Sequence, residues 1–268
     1  MKQSKKFISP GAWFSMNYPA TWNEFEDSES TFLFYNPDNW TGNFRISAYR
    51  GGQNYAATSV EQELRDNVSA QPVRVGAWHC AYSKEMFEEE GVYYTTHLWL
   101  TGKDDLLFEC SMTVPKGAPV SEAEEVIASL AVRPEGKKYP AEVIPVRLSE
   151  VYQINEAYEW VDKTVKEVLS KDFQGSEEDI LKMQEIIEKG IIPPKKKEAW
   201  LAMGIALCVI LANEVDGWEW RTLIDGNREV PILQHIETGQ RIDPMKLTWS
   251  KVKAGEKCNL IETYQELV

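Results

Sequence analysis

Apolar positions alternate with a period near two along the first half of the chain and recur every three or four residues along most of the second. Strands are therefore expected first and helices afterwards. Trp13–Tyr18 reads as a strand ended by Pro19, Thr31–Tyr35 as one stopped by Asn36-Pro37, and Asn43–Arg50 as one closed by Gly51-Gly52. A short helix follows from Ser59, which has capping-box spacing to Gln62 and continues its apolar stripe through Leu64 and Val68. Three more strands are expected at Val73–Lys84, Val92–Leu100 and Leu106–Val114, with hairpin turns at Glu88-Glu89-Glu90-Gly91 and Gly102-Lys103-Asp104-Asp105. Alternation in Val92–Leu100 puts Tyr93, Thr95, His97 and Trp99 on one face and Tyr94, Thr96, Leu98 and Leu100 on the other. A helix from Ser121, again with a Glu three residues on, closes this half before the linker Pro134-Glu135-Gly136-Lys137-Lys138.

The second half opens with a long helix from a Ser149 cap to about Leu169, its stripe formed by Val151, Ile154, Tyr158, Val161, Val165 and Val168. A second helix runs from Ser176 to Gly190, beyond which Pro193-Pro194 forbids continuation. The third, from Lys195 to about Asn213, is apolar nearly all round and reads as the buried centre of its domain. Within it Gly204 and Cys208, like Ala202 and Ala206, are small residues that admit another backbone closely. Trp218–Ile224 and Glu229–Ile236 flank the turn Asp225-Gly226-Asn227 as a hairpin. Asp243-Pro244 starts a short helix over Met245–Val252, and Cys258–Tyr264 is expected as a last strand. The expected class is α+β in two domains, an antiparallel sheet flanked by helices over 1–136 and a helix-rich domain with a small antiparallel sheet over 137–268.

Charge narrows the function. The net charge is −13, shared by both halves, and such an even negative field argues against nucleic acid and anionic membranes, which need basic patches. The longest apolar run, Ala199–Ala212, is too short to span a bilayer, and no apolar run follows the basic residues before Phe7. The four cysteines, Cys80, Cys110, Cys208 and Cys258, have no paired spacing and read as reduced, buried thiols of a cytoplasmic protein.

The order of three strands, helix, three strands, helix, with Phe14-Ser15-Met16-Asn17-Tyr18-Pro19 and Trp22 near its start, resembles the PsbP-like fold. Photosystem extrinsic subunits, Ran-binding Mog-type proteins and effector chaperones of type VI secretion share that fold. The resemblance covers about residues 7–133, implies a non-enzymatic binding domain, and transfers no site residue. The whole chain resembles uncharacterised two-domain bacterial proteins of the Bacteroidetes, on the stretch Ala199–Arg221 with Trp200-Leu201-Ala202-Met203-Gly204 and Gly217-Trp218-Glu219-Trp220, continuing into Pro231-Ile232-Leu233. That resemblance implies an architecture and no mechanism.

Familiar catalytic patterns do not appear. His79, His97 and His235 are remote from one another and lack metal-ligand spacing. No Gly-x-Ser-x-Gly elbow, Walker loop or Gly-x-Gly-x-x-Gly is present. Glu88–Glu90 and Asp104-Asp105 lie in turns, where solvated charge explains them. No catalytic, metal or cofactor residue is assigned and no cofactor is expected. Ten tryptophans remain, and aromatic residues near loops are favoured at interface hot spots. Trp22, Trp40, Tyr55, Trp218 and Trp220 are the candidate partner contacts. The expected function is non-catalytic binding of another protein, as an adaptor, chaperone or immunity-type protein. The alternative is a small-molecule-binding or hydrolytic enzyme with its site in a cleft between the domains.

Overall fold

Residues 3–28 and 30–268 are described by a computed structural model of the chain. It divides into two compact units, Met1–Lys138 and Tyr139–Val268.

The first unit contains β1 (Ser4–Ile8), β2 (Phe14–Pro19), β3 (Asn23–Ser28), β4 (Thr31–Tyr35), β5 (Asn43–Arg50), α1 (Tyr55–Asp66), β6 (Gln71–Val75), β7 (Trp78–Glu89), β8 (Val92–Lys103), β9 (Leu106–Pro115), α2 (Ser121–Ala128) and β10 (Ala131–Val132). Seven of its strands form one sheet in the order β3-β4-β5-β9-β8-β7-β6, and β1-β2-β10 form a smaller one. All pairings are antiparallel. Alternation sends Phe108, Cys110, Met112 and Val114 of β9 and Phe44, Ile46 and Ala48 of β5 to one buried face. Phe7, Phe14, Met16 and Tyr18 of the small sheet and Val126 and Ile127 of α2 complete this core. Phe7 bridges the layers, its ring 4.9 Å from Phe32 and 5.3 Å from Phe34. Ala56 of α1 is buried too, and α1 contacts β7, β8 and β9.

The second unit contains β11 (Glu142–Pro145), α3 (Leu148–Leu169), α4 (Asp179–Glu188), α5 (Lys197–Glu214), β12 (Trp218–Asp225), β13 (Arg228–His235), β14 (Arg241–Ile242), α6 (Pro244–Leu247), α7 (Trp249–Lys253) and α8 (Leu260–Gln265). Its sheet runs β11-β12-β13-β14, antiparallel throughout. Helix α5 is central, as its all-round apolar character predicts, with Met203, Ala206, Leu207, Ile210 and Leu211 fully buried. Gly204 lets α6 approach: a Cβ there would lie 2.2 Å from the Pro244 carbonyl oxygen.

The architecture is the expected α+β, with local corrections. Five strands are not expected from the sequence, namely β1, the polar β3 and the short β10, β11 and β14, and the expected Val73–Lys84 strand is a hairpin broken at Gly76-Ala77. The capping boxes do not form. Helix α1 starts at Tyr55, before Ser59; Ser121 is already inside α2; and α3 starts at Leu148, ahead of Ser149. Asp179, rather than Ser176, organises the start of α4 by accepting the Gln174 and Ser176 backbone N–H groups at 2.7 and 3.1 Å. The expected Met245–Val252 helix breaks at Thr248, where the backbone leaves the helical region. Cys258–Tyr264 is not a strand but the helix α8. Asn259 caps it by accepting from Ile261 and Glu262, and a local cap of this kind outweighs a short apolar run.

Candidate interaction surface on the β7–β8 hairpin

Strands β7 and β8 are twelve residues each and join through Glu90-Gly91, with φ of 51° and 79°. Positive φ at both loop positions is the type I′ geometry whose twist matches paired strands. Strand β6 covers only Trp78–Tyr82 of β7, so the outer side of Ser83–Glu89 extends beyond it.

This overhang carries large apolar side chains. Met86 is 64% exposed, Tyr93 54% and Phe87 41%. Phe87 lies across from Tyr94 and stacks on it, with ring centroids 5.5 Å apart and 24° between planes. Trp40, 42% exposed, meets the same Tyr94 ring edge-on at 6.2 Å, and its Nε1 donates to Asn43 Oδ1 at 2.8 Å. On the other face the Lys116 ammonium sits 5.5 Å from the Tyr93 ring centre, and the Lys116 N–H donates to the Tyr93 carbonyl at 2.9 Å. Phe87, Tyr93 and Tyr94 are thus held on paired strands, and Trp40 is held in its loop by its hydrogen bond and the Tyr94 ring, before any partner arrives, which lowers the ordering cost of binding. Glu85, Glu88, Glu89 and Glu90 are exposed around them.

Further down the hairpin, His97 Nδ1 lies 2.7 Å from the Tyr82 hydroxyl, and its ring stacks on Trp99. Burial, with Lys84 as a second cause, holds the His97 pKa below its ordinary value. Burial and then Glu124 push the Tyr82 phenol above its ordinary value. His97 is thus a hydrogen-bonded residue of the sheet. His235 accepts the Glu237 and Thr238 backbone N–H groups at 3.3 Å.

The five tryptophan and tyrosine candidates are not brought together. Trp22 is fully buried, its ring 5.9 Å from Phe44 in the core, and is corrected from a surface contact to a packing residue. Trp40 joins the hairpin cluster. Tyr55 is half-buried at the start of α1 with its ring over Gly51. Trp218 and Trp220, in the other unit, are half-buried against the α5 core, and Trp218 also meets the His235 ring edge-on at 5.2 Å. Met86, Phe87, Tyr93 and Tyr94 were missed by sequence reasoning. The available signal was Met86-Phe87 amid four glutamates beside a Glu-Gly turn, where a solvated hairpin end should be polar.

The second unit holds a buried ion network. Arg147, 2% exposed, donates through Nε to Glu150 Oε2 at 2.8 Å, and through Nη2 to Glu150 Oε1 at 2.6 Å and Glu229 Oε2 at 2.7 Å. The Thr222 hydroxyl donates to Glu150 Oε2 and accepts the Arg147 backbone N–H. This network ties the β11–α3 junction to β12 and β13. A cleft of about 290 Å³ opens between α4 and α8, bordered by Glu178, Leu181, Ile261 and Tyr264. All four cysteines are free and buried, and burial pushes their thiols up. Among the described residues no group of three His, Cys, Asp or Glu could hold a metal ion, and no helix is long and apolar enough to cross a membrane.

The fold and this surface define a two-unit α+β protein presenting an aromatic, acid-rimmed hairpin. The chain belongs to the family described as domain of unknown function DUF3805, matched over residues 2–155, followed by domain of unknown function DUF3806 over residues 179–264. A crystal structure from Bacteroides thetaiotaomicron is similar over 100% of this chain and 98% of that one, at 65% identity and a TM-score of 0.96. Similarity to the PsbP-like proteins is weak. A cyanobacterial PsbP from Synechocystis aligns with 50% of this chain and 94% of its own at 11% identity and a TM-score of 0.29. LpqN of Mycobacterium tuberculosis, involved in cell envelope biogenesis, aligns with 49% of this chain and 91% of its own at 11% identity and a TM-score of 0.33. No curated protein matches the chain.

Proposed function

We propose that this protein is a non-catalytic binding protein, an adaptor, chaperone or immunity-type protein that grips another protein through the aromatic face of the β7–β8 hairpin. The observation that carries the reading is the contiguous Trp40–Tyr94–Phe87 cluster, in which the exposed Trp40 and Phe87 are fixed by ring contacts on the half-buried Tyr94. Tryptophan and tyrosine on rigid supports are the side chains that dominate hot spots. The surrounding glutamates suit a partner with basic residues at its rim and steer its approach. Four separate buried thiols suit a reducing compartment, and the proposed location is the cytoplasm.

The test is affinity purification of the tagged protein from the cells that make it, with and without Phe87→Ala and Tyr94→Ala. Both side chains lie outside the main core, so the fold should persist. A stoichiometric partner held by the parent protein and lost from the folded double variant is the expected result. A partner held equally by both proteins, or none held by either, would refute this reading.

A further inference from the structure

The overhang of β7 offers unpaired backbone as well as aromatic side chains, and two loops fix which residues present it. Val75 pairs with Trp78 around Gly76-Ala77, and Glu89 pairs with Val92 around Glu90-Gly91. The pair that closes a two-residue loop exchanges both backbone hydrogen bonds, and such pairs then recur at every second residue. Counting from either loop gives the same parity. Odd residues of β7 bond to β8, whereas even residues face the other way, toward β6 where it is present. Beyond Tyr82 there is no β6, and among the described residues no other strand pairs with that side. Lys84, Met86 and Glu88 therefore aim their N–H and C=O groups at an open edge.

Natural sheets blunt such edges because they invite another strand. This one is blunted only in part: a 64%-exposed Met86 stands at the centre of the open stretch, with a cation two residues before it and an anion two residues after. That order is self-complementary. A second copy laid antiparallel along the edge, with the two-fold axis at Met86, places Met86 opposite its own equivalent. It also places Lys84 opposite Glu88 of the other copy, twice. All three outward residues then lie in closely bonded pairs, so their six N–H and C=O groups per chain are satisfied together. The remaining side chains also tolerate this register. Glu85 falls opposite Phe87, and Glu89 opposite Ser83, so no two carboxylates are directly opposed. Sliding the second copy by two residues one way requires Tyr82, which β6 already occupies. Sliding it the other way requires Glu90, which the loop holds at φ 51°. The twofold register is the one that uses the whole edge.

We propose that a second copy of this chain occupies the Ser83–Glu89 edge of β7 as an antiparallel strand, joining two seven-stranded sheets across an isologous interface. The inference is argued separately from the protein-binding reading, because it rests on the backbone edge and its Lys84–Glu88 charges, and of the Trp40–Tyr94–Phe87 rings only Phe87 lies in that strand. The net charge of −13 opposes association at long range, but screening at physiological salt confines that repulsion to about 8 Å while the two ion pairs act in contact.

Sedimentation equilibrium at physiological salt tests it directly. The 30.7 kDa chain should sediment at about twice its mass. Lys84→Glu, which sets carboxylates opposite each other, and Glu88→Lys, which sets ammoniums opposite, should each weaken the dimer by about tenfold or more. The double variant K84E/E88K, and an equimolar mixture of the two single variants, should restore it, because each recreates the opposite-charge pairs. Met86→Pro removes an outward N–H and none that bonds to β8, so it should give a folded monomer by circular dichroism. A parent chain that stays monomeric at a hundred micromolar, whether or not it captures a basic segment of another protein, would overturn the proposal. So would a dimer indifferent to the charge reversals and to the proline.

Discussion

Gly204 shows how one residue can fix the packing of two helices. Its missing side chain lets the Pro244 carbonyl of α6 lie where a Cβ would be 2.2 Å from oxygen and 2.9 Å from the Thr248 hydroxyl. Gly204→Ala cannot be absorbed by a rotamer change, because the clashing atom belongs to the backbone. The expected cost is about 1–3 kcal/mol, the usual penalty of overpacking a core, measured as a lowered urea midpoint with an unchanged slope. His97 gives a residue-level pH dependence. Its folded pKa lies below the ordinary 6.5, so as pH falls through about 6.5 the unfolded chain takes up a proton that the folded chain refuses. Stability attributable to His97 is therefore present above that pH and lost below it. Comparing melting temperatures between pH 7.5 and pH 5, the parent should fall further than His97→Gln; parallel falls would show that the imidazole contributes nothing. These two residues differ in how plainly the sequence announces them. The small-residue step at Gly204 was visible in the sequence, whereas the Tyr82–His97 bond requires the strand register.

Elements with strong local grammar were the legible ones. Thr31–Tyr35 and Asn43–Arg50 occur with the bounds expected, since alternating apolar residues end there at Asn-Pro and Gly-Gly. The two long hairpins followed from their Glu-Gly and Asp-Asp turns. Strand β3 was hidden because Asn23–Ser28 is polar. It is a strand because Thr31–Tyr35 pairs with it, a nonlocal cause that composition does not carry. In α8, local capping overrode an apolar run read as β. Asn259→Ala should cost about 1 kcal/mol, the usual value of an N-cap, and should show as faster amide exchange over Leu260–Gln265. The candidate surface was half legible. Trp40 is picked out by its place in a loop, while Tyr94 reads as an ordinary strand residue and Phe87 falls beyond the expected Val73–Lys84 strand, which in the structure continues to Glu89 and outruns β6.

At the scale of the molecule, the boundary between the compact units and the end of the first family match fall in different places. The units divide at Lys138 and Tyr139, whereas the DUF3805 match continues to residue 155. The seventeen residues between include β11, which pairs with β12, and the start of α3, with Arg147 at its N-cap and Glu150 in its first turn. A fragment 156–268 would lose the strand that covers the edge of β12, and would leave Glu229 and Thr222 without Arg147 and Glu150. Removing one side of a buried ion network costs about 3–5 kcal/mol, because the group left behind has lost its solvent and its partner. That is a large share of the roughly 5–15 kcal/mol that stabilises a typical domain. A fragment 139–268 keeps both sides of the network and the whole α5 core. It should unfold cooperatively in urea with a sharp transition, while 156–268 should be soluble only as a partly folded chain or not at all. Within 139–268, Arg147→Met should reproduce much of that loss, and Arg147→Met with Glu150→Leu should recover part of it by removing the stranded carboxylate. Equal stability of the two fragments would mean that the Arg147 network is an ornament of the junction rather than its fastening.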